Sequence, residues 1–200
     1  MVNEKSARLR RTIFWGLAAA YTAALPDAIV VYRTIATHFS TPVARKIPVA
    51  MIILLGISYI LFGMITRKSS RYFSLIIPCT FIVYTIMAVE PNQNKHIHIP
   101  EYILMTWLLY EALSIDYKGK GIYILIFLCS SMLGVVDELE QGTYPDRFYG
   151  WVDMGINSAS SIIGILTLMG LRTAPKGDWA WIDQIKKLKG SLGVMLFGAV

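Results

Sequence analysis

Apolar residues in this chain fall into long, nearly continuous runs separated by short polar stretches. The runs cover about 13–32, 47–65, 73–89, 99–115, 121–136 and 151–171. Crossing the hydrocarbon core of a bilayer as a helix takes roughly 20 apolar residues, with a range near 17–25. Six runs meet or approach that length. None alternates strictly between apolar and polar positions, as a lipid-facing barrel strand must, and only helices and closed barrels satisfy their backbone groups within lipid. The pattern predicts an all-α, polytopic transmembrane helix bundle of about six helices. The fourth and fifth runs are the shortest, and five spans result if they form a hairpin that does not fully cross. Pro78, inside the third run, is expected to kink it.

The run pattern defines one transmembrane domain over 1–176. In 177–200, Trp179, Trp181, Ile182, Ile185 and Leu188 interleave with Lys186, Lys187 and Lys189. That predicts a C-terminal amphipathic helix lying in the membrane interface, with aromatic anchors and lysines reaching to the headgroups. The basic N-terminal stretch leads directly into the first run, which lacks a small-residue cleavage site and is read as a retained anchor.

Composition agrees with this picture. Apolar residues make up 55 % of the chain and charged residues 16 %, whereas a soluble domain carries roughly 25 % charged residues to keep its surface wet. A formal net charge of +6 is compatible with nucleic acid, but the basic residues sit in short clusters between apolar runs and no nucleic-acid motif is present. Their partner is expected to be the lipid bilayer. Lys5, Arg8, Arg10 and Arg11, then Arg67, Lys68 and Arg71, then Lys118 and Lys120, then Arg172, Lys176, Lys186, Lys187 and Lys189 fall on one side if six helices alternate. By the excess of Lys and Arg in cytoplasmic loops, both termini are expected in the cytoplasm of a multi-pass cell-membrane protein. The connection with Arg33, Arg45 and Lys46 is an exception on the other side. Cys79 and Cys129 both lie inside apolar runs, where free cysteine packs as a small hydrophobe; neither a disulfide framework nor a zinc spacing is present.

Two stretches interrupt the apolar pattern with ionisable residues at run boundaries. The first is 95–102, with Lys95, His96, His98, Glu101 and Tyr102. The second starts at Asp137, Glu138, Glu140 and Gln141 and continues through Asp146, Arg147, Asp153 and Asn157. Helical residues three or four apart share a face. His98 with Glu101 and Tyr102, Asp137 with Gln141, and Asp153 with Asn157 therefore give three helices a polar face at the same depth. Burying such groups singly against lipid costs several kcal/mol, so they are expected to face one another in a polar pocket at the extracytoplasmic face, closed by Arg147. Asp27, near the same end of the first run, fits equally well in the pocket or at an exposed boundary. His96 is expected in solvent, Glu140 solvated, and Glu111 paired with Lys118 or Lys120. The plain alternative is an interhelical hydrogen-bond network, but nine residues with four carboxylates exceed what packing contacts of about 0.6–2 kcal/mol each require.

These same residues resemble the VanZ-like family. The resemblance rests on Lys95-x-x-His98-x-x-x-Tyr102, on Asp137-Glu138-x-x-Gln141, on Arg147, and on Asp153-x-x-x-Asn157 with Gly164 beyond, in order over about 95–165. Ser160 departs from the glycine usual three residues after the Asn. The resemblance implies a multi-pass membrane protein and an association with low-level resistance to the lipoglycopeptide teicoplanin. It brings no defined reaction with it.

The residue types point to a membrane-embedded enzyme acting on an envelope lipid or lipid-linked glycan, by phosphodiester or glycosidic cleavage or transfer. His98 exchanges protons near neutral pH, and Glu101, Asp137, Glu138 and Asp153 are the candidate acids, bases or metal ligands. Arg147 suits a phosphate through its planar fork, while Tyr102, Gln141 and Asn157 would orient substrate. A divalent cation held by Asp137, Glu138 and Asp153 is compatible with the spacing, but no Walker loop, nucleophile elbow or zinc motif is present. The competing expectations are a non-enzymatic lipid- or lipoglycopeptide-binding protein, a small transporter, and a membrane scaffold.

Overall fold

The computed structural model describes residues 4–143 and 150–172. Every regular element among them is helical: α1 (Glu4–Ala24), α2 (Ala28–His38), α3 (Thr41–Ile65), α4 (Arg71–Val89), α5 (His98–Leu113), α6 (Ile122–Gln141) and α7 (Trp151–Leu171). Five helical stretches are long and apolar enough to cross a membrane: 4–38, 41–65, 71–89, 122–141 and 151–171. The protein is an all-α bundle of the membrane type. The interfacial helix expected in 177–200 and the pocket residue Arg147 lie outside the described residues.

Two departures from the predicted runs have local causes. The first run is not one smooth helix over 13–32: helix begins at Glu4, and a 3₁₀ turn at Leu25–Asp27 separates α1 from α2. Pro26 in that turn has no N–H to continue the α ladder. The expected fourth span becomes α5, only 16 residues long, which is about 24 Å at 1.5 Å per residue. It is therefore not among the five spanning stretches. Pro78, by contrast, lies within α4 without ending it; that helix stops at Val89. Glu90 is extended there (φ −109°, ψ 101°), as a residue before proline prefers, and Pro91 follows. Asn92 then caps the 3₁₀ stretch Gln93–Ile97, which runs straight into α5.

Helix α5 forms the centre of the bundle. It packs most extensively on α7, and also on α1 and α6, while α4 lies against α7. Ile99, Tyr102, Met105, Thr106, Leu109 and Ala112 are wholly buried along it. Helices α3 and α4 form an outer wall and expose apolar side chains such as Leu54, Ile77 and Phe81, the surface that lipid would cover. This division explains why the most polar run is tolerated: α5 is screened by its neighbours. Small residues let the helices approach, as in membrane bundles generally. A Cβ at Gly164 would lie 2.7 Å from Thr106 Cβ on α5, and one at Gly134 would lie 3.0 Å from Asn157 Cβ on α7.

Polar contacts mark the two ends of the bundle. At one end Glu111 of α5 pairs with Arg10 of α1 at 3.6 Å and with Arg172 just after α7, and Arg11 pairs with Asp116. The start of α1 and the end of α7 therefore lie together. The expected partners of Glu111, Lys118 and Lys120, are replaced by these arginines. Lys118 instead donates to the Ser114 carbonyl four residues back on the chain. The opposite end carries the polar cluster.

Candidate functional site

The start of α5, the end of α6 and the start of α7 converge at that second end, with the 3₁₀ stretch 93–97 beside them. The helical spacing works as the sequence predicts. Tyr102 Oη donates to Asp137 Oδ2 at 3.1 Å, and Gln141 Nε2 donates to Asp137 Oδ1 at 2.9 Å from one turn further along α6. Asp137 thus accepts at both oxygens from neutral donors. His98 lies one turn before Tyr102. Its Nδ1 is 3.2 Å from Glu101 Oε2, close enough for a charge pair but off the line of a hydrogen bond, and its Nε2 is 4.0 Å from Glu138 Oε1. Glu138 also faces the backbone amide of Gly150, at the foot of α7.

A third group forms around Asp153. Lys95 Nζ reaches Asp153 Oδ2 at 2.9 Å and Glu90 Oε2 at 3.5 Å. Burial alone would lower the Lys95 ammonium, but the Asp153 and Glu90 carboxylates outweigh it and hold its pKa above the ordinary lysine value. Lys95 is therefore charged at neutral pH and ties α7 to the end of α4.

His98, Tyr102, Asp137, Glu138, Gln141, Asp153 and Asn157 are all buried, and Glu101 is nearly so. Asn157 packs between Gly134 and Tyr102. Buried polar atoms are almost always paired, yet four of these residues have buried atoms without a hydrogen bond: Glu138 Oε1, Asp153 Oδ1, and both amide atoms of Asn157, together with His98 Nδ1. That concentration of unsatisfied atoms is the chemical signature of the site. Below it the polar residues become small. Ser130 and Ser161 share a 2.7 Å hydrogen bond, and Thr106, Ser160, Ser161 and Thr167 donate to carbonyls of their own helices.

Eight of the nine residues singled out in the sequence come together here, and Arg147 lies outside the described residues. One expectation changes, for His96, and two open choices are resolved. Asp27 is exposed in its 3₁₀ turn and does not join the cluster. His96 is buried rather than solvated, because its Nε2 bonds the Glu90 carbonyl at 2.8 Å and folds the 90–97 segment back on itself. Among the described residues, the group that brings ligand atoms together is His98, Asp137 and Glu138, one atom from each within 4.8 Å of the others, while Lys95 takes Asp153. Sequence reasoning passed over Glu90. A carboxylate directly before Pro91, at the end of an apolar run, was the available signal. Glu140 is exposed, as expected.

A lateral groove of about 590 Å³ lies between α3, α4, α5 and α7, lined by apolar side chains that include Ile52, Val83, Ile103 and Ile163, with Tyr59 and Trp107. Ile103 follows Tyr102 directly on α5. Comparison of the chain with protein-family models, curated proteins and solved structures found no match.

Proposed function

We propose that this is a VanZ-like membrane enzyme that acts on an envelope lipid or lipid-linked glycan, with the polar cluster at the extracytoplasmic face and both termini in the cytoplasm. The observation that carries the reading is the buried cluster of His98, Glu101, Asp137 and Glu138 with unsatisfied polar atoms at its centre. Structural hydrogen bonds between membrane helices are individually weak, and a bundle gains nothing from leaving such atoms unpaired. Intramembrane ionisable groups arranged this way are functional by default.

The geometry supports acid–base work. His98 lies between Glu101 and Glu138, so one imidazole and two carboxylates form a set that can exchange a proton with a substrate group or with water. Asp137 is held in one orientation by Tyr102 and Gln141. Asn157 is positioned to hold a substrate oxygen or amide; Arg147 suits a phosphate by the planar fork of its guanidinium. The groove beside Ile103 fits an acyl or isoprenoid tail, which favours a lipid-borne substrate over a soluble one. The small hydroxyls below the cluster donate to their own backbones, which favours a one-sided pocket over a transport path. The link to teicoplanin sensitivity follows from the family resemblance: changing an envelope lipid or glycan alters what a lipoglycopeptide meets.

The test is a series of His98→Ala, Asp137→Asn, Glu138→Gln and Asp153→Asn in the native host, with membrane levels verified. Lipid extracts are compared by mass spectrometry with wild type and a deletion strain. Variants present at normal levels should reproduce the lipid change of the deletion. If lipids stay unchanged throughout, the enzyme reading fails, and binding or scaffolding replaces it.

A further inference from the structure

We infer that His98, Asp137 and Glu138 form a binding site for one divalent transition-metal ion, with Zn²⁺ or Mn²⁺ as the class of cation. The inference does not depend on the lipid reading.

The donor set is one imidazole and two carboxylates, the nitrogen–oxygen mixture that suits zinc and its neighbours. One ligand atom from each lies within 4.8 Å of the others. Bonds of about 2.1 Å in tetrahedral geometry place ligand atoms about 3.4 Å apart. The 4.0 Å between His98 Nε2 and Glu138 Oε1 must therefore close by about 0.6 Å. No pair in the set need close by more than about 1.4 Å, within reach of side-chain rotation, for all three to bind one ion.

Three independent features point to a ligand. First, Glu138 Oε1 has no hydrogen bond although the residue is 1 % exposed, and it is the atom aimed at His98 Nε2. Second, Glu101 lies against His98 Nδ1. A metal-bound histidine usually has its other ring nitrogen held by a carboxylate or carbonyl, which orients the ring and raises its basicity. Tyr102 and Gln141 hold Asp137 in the same manner. Third, two buried carboxylates, Asp137 and Glu138, lie within reach of one imidazole; buried charge is costly unless paired, and a divalent cation at His98 would neutralise both. Three protein ligands leave positions open for water or a substrate oxygen, as in catalytic rather than structural zinc sites. Asn157, with both amide atoms unsatisfied, lies beside Tyr102 to steady whatever fills them.

The experiment uses the full-length protein in detergent, stripped with chelator and titrated calorimetrically with Zn²⁺ and then with Mn²⁺. The expected result is one equivalent of Zn²⁺ or Mn²⁺, with affinity reduced at least about tenfold in His98→Ala, Asp137→Asn and Glu138→Gln. Glu101→Gln should keep the stoichiometry but bind about tenfold more weakly, the usual effect of losing a group that orients a ligand. His38→Ala, at an exposed histidine on α2, should bind like wild type. Two readouts on the wild-type chain guard against misfolded variants: a Co²⁺ visible spectrum with imidazole–carboxylate ligation, and a rise in Tm with added zinc. Absence of stoichiometric binding by the wild type, or tight binding that survives both His98→Ala and Asp137→Asn, overturns the inference. Since no lipid enters this assay, failure here is distinct from failure of the proposed reaction.

Discussion

Gly164→Ala tests how closely α5 and α7 must approach to assemble the site. In an ordinary helix interior this change stabilises, because alanine is better than glycine there by about 0.8–1 kcal/mol. Here the added Cβ would lie 2.7 Å from Thr106 Cβ and 2.9 Å from both Thr106 Cγ2 and Oγ1. Carbon atoms in good contact are about 3.5–4.0 Å apart. Rotating the threonine does not relieve the clash, since its Cβ is fixed to the α5 backbone. The two helices must therefore separate by about 0.8 Å to restore contact distance. Overpacking of this kind costs about 1–3 kcal/mol, more than the propensity gain offsets, so the net expectation is a loss of about 1 kcal/mol. Gly56→Ala and Gly16→Ala are matched controls: nothing lies within 4 Å of a Cβ at either position, and both should be neutral or stabilising. Pairing Gly164→Ala with Thr106→Gly removes the opposing Cβ and should recover stability beyond the sum of the single changes. The assay is reversible unfolding in detergent or bicelles, read as a free-energy difference. If Gly164→Ala stabilises like the controls, or the double variant is simply additive, the close α5–α7 contact is refuted.

Two further perturbations probe the polar cluster. Lys95→Met leaves Asp153 and Glu90 without their cation and should cost about 1–2 kcal/mol in the same unfolding assay, below the 3–5 kcal/mol of a fully buried pair because the Lys95 side chain is 35 % exposed. Since the Lys95 pKa is raised in the fold, the pair's contribution is fully present below about pH 10.4 and fades only as pH climbs through the folded value. The stability difference between wild type and Lys95→Met should therefore be flat from about pH 6 to pH 10 and shrink only above about pH 10.4. Tyr102→Phe removes one donor from Asp137 and little volume. It should cost about 0.6–2 kcal/mol, the range for hydrogen bonds between membrane helices, and weaken metal binding in calorimetry; unchanged values in both would show that Tyr102 does not position the carboxylate.

Much of the site was legible because helix periodicity is rigid. Pairs four apart, such as Asp137 with Gln141, share a face whatever surrounds the helix. Burial in a membrane protein then leaves polar faces little choice but one another. His98 and Glu101 were visible on the same grounds. His96 was not, because its burial depends on a tertiary hydrogen bond to the Glu90 carbonyl rather than on a helix face. Glu90 was overlooked because it lies between elements, where no periodicity operates. The partners of Glu111 were missed for a related reason: neighbours in sequence suggested Lys118 and Lys120, while packing brought Arg10 and Arg172 from the far ends of the chain.

By itself the amino-acid sequence determined the helical class, the membrane setting and the gathering of acids and histidine at one end of the bundle. Those properties follow from local quantities: run length, hydropathy and a period of 3.6 residues. Only the tertiary structure decided that α5 is the enclosed centre rather than one more lipid-facing span, that Asp27 stays outside, and which acid goes with which base. A charged residue's partner is set by distances of a few ångströms between helices. Those distances depend on packing at small residues such as Gly134 and Gly164, where neighbouring side chains and not chain position choose the register.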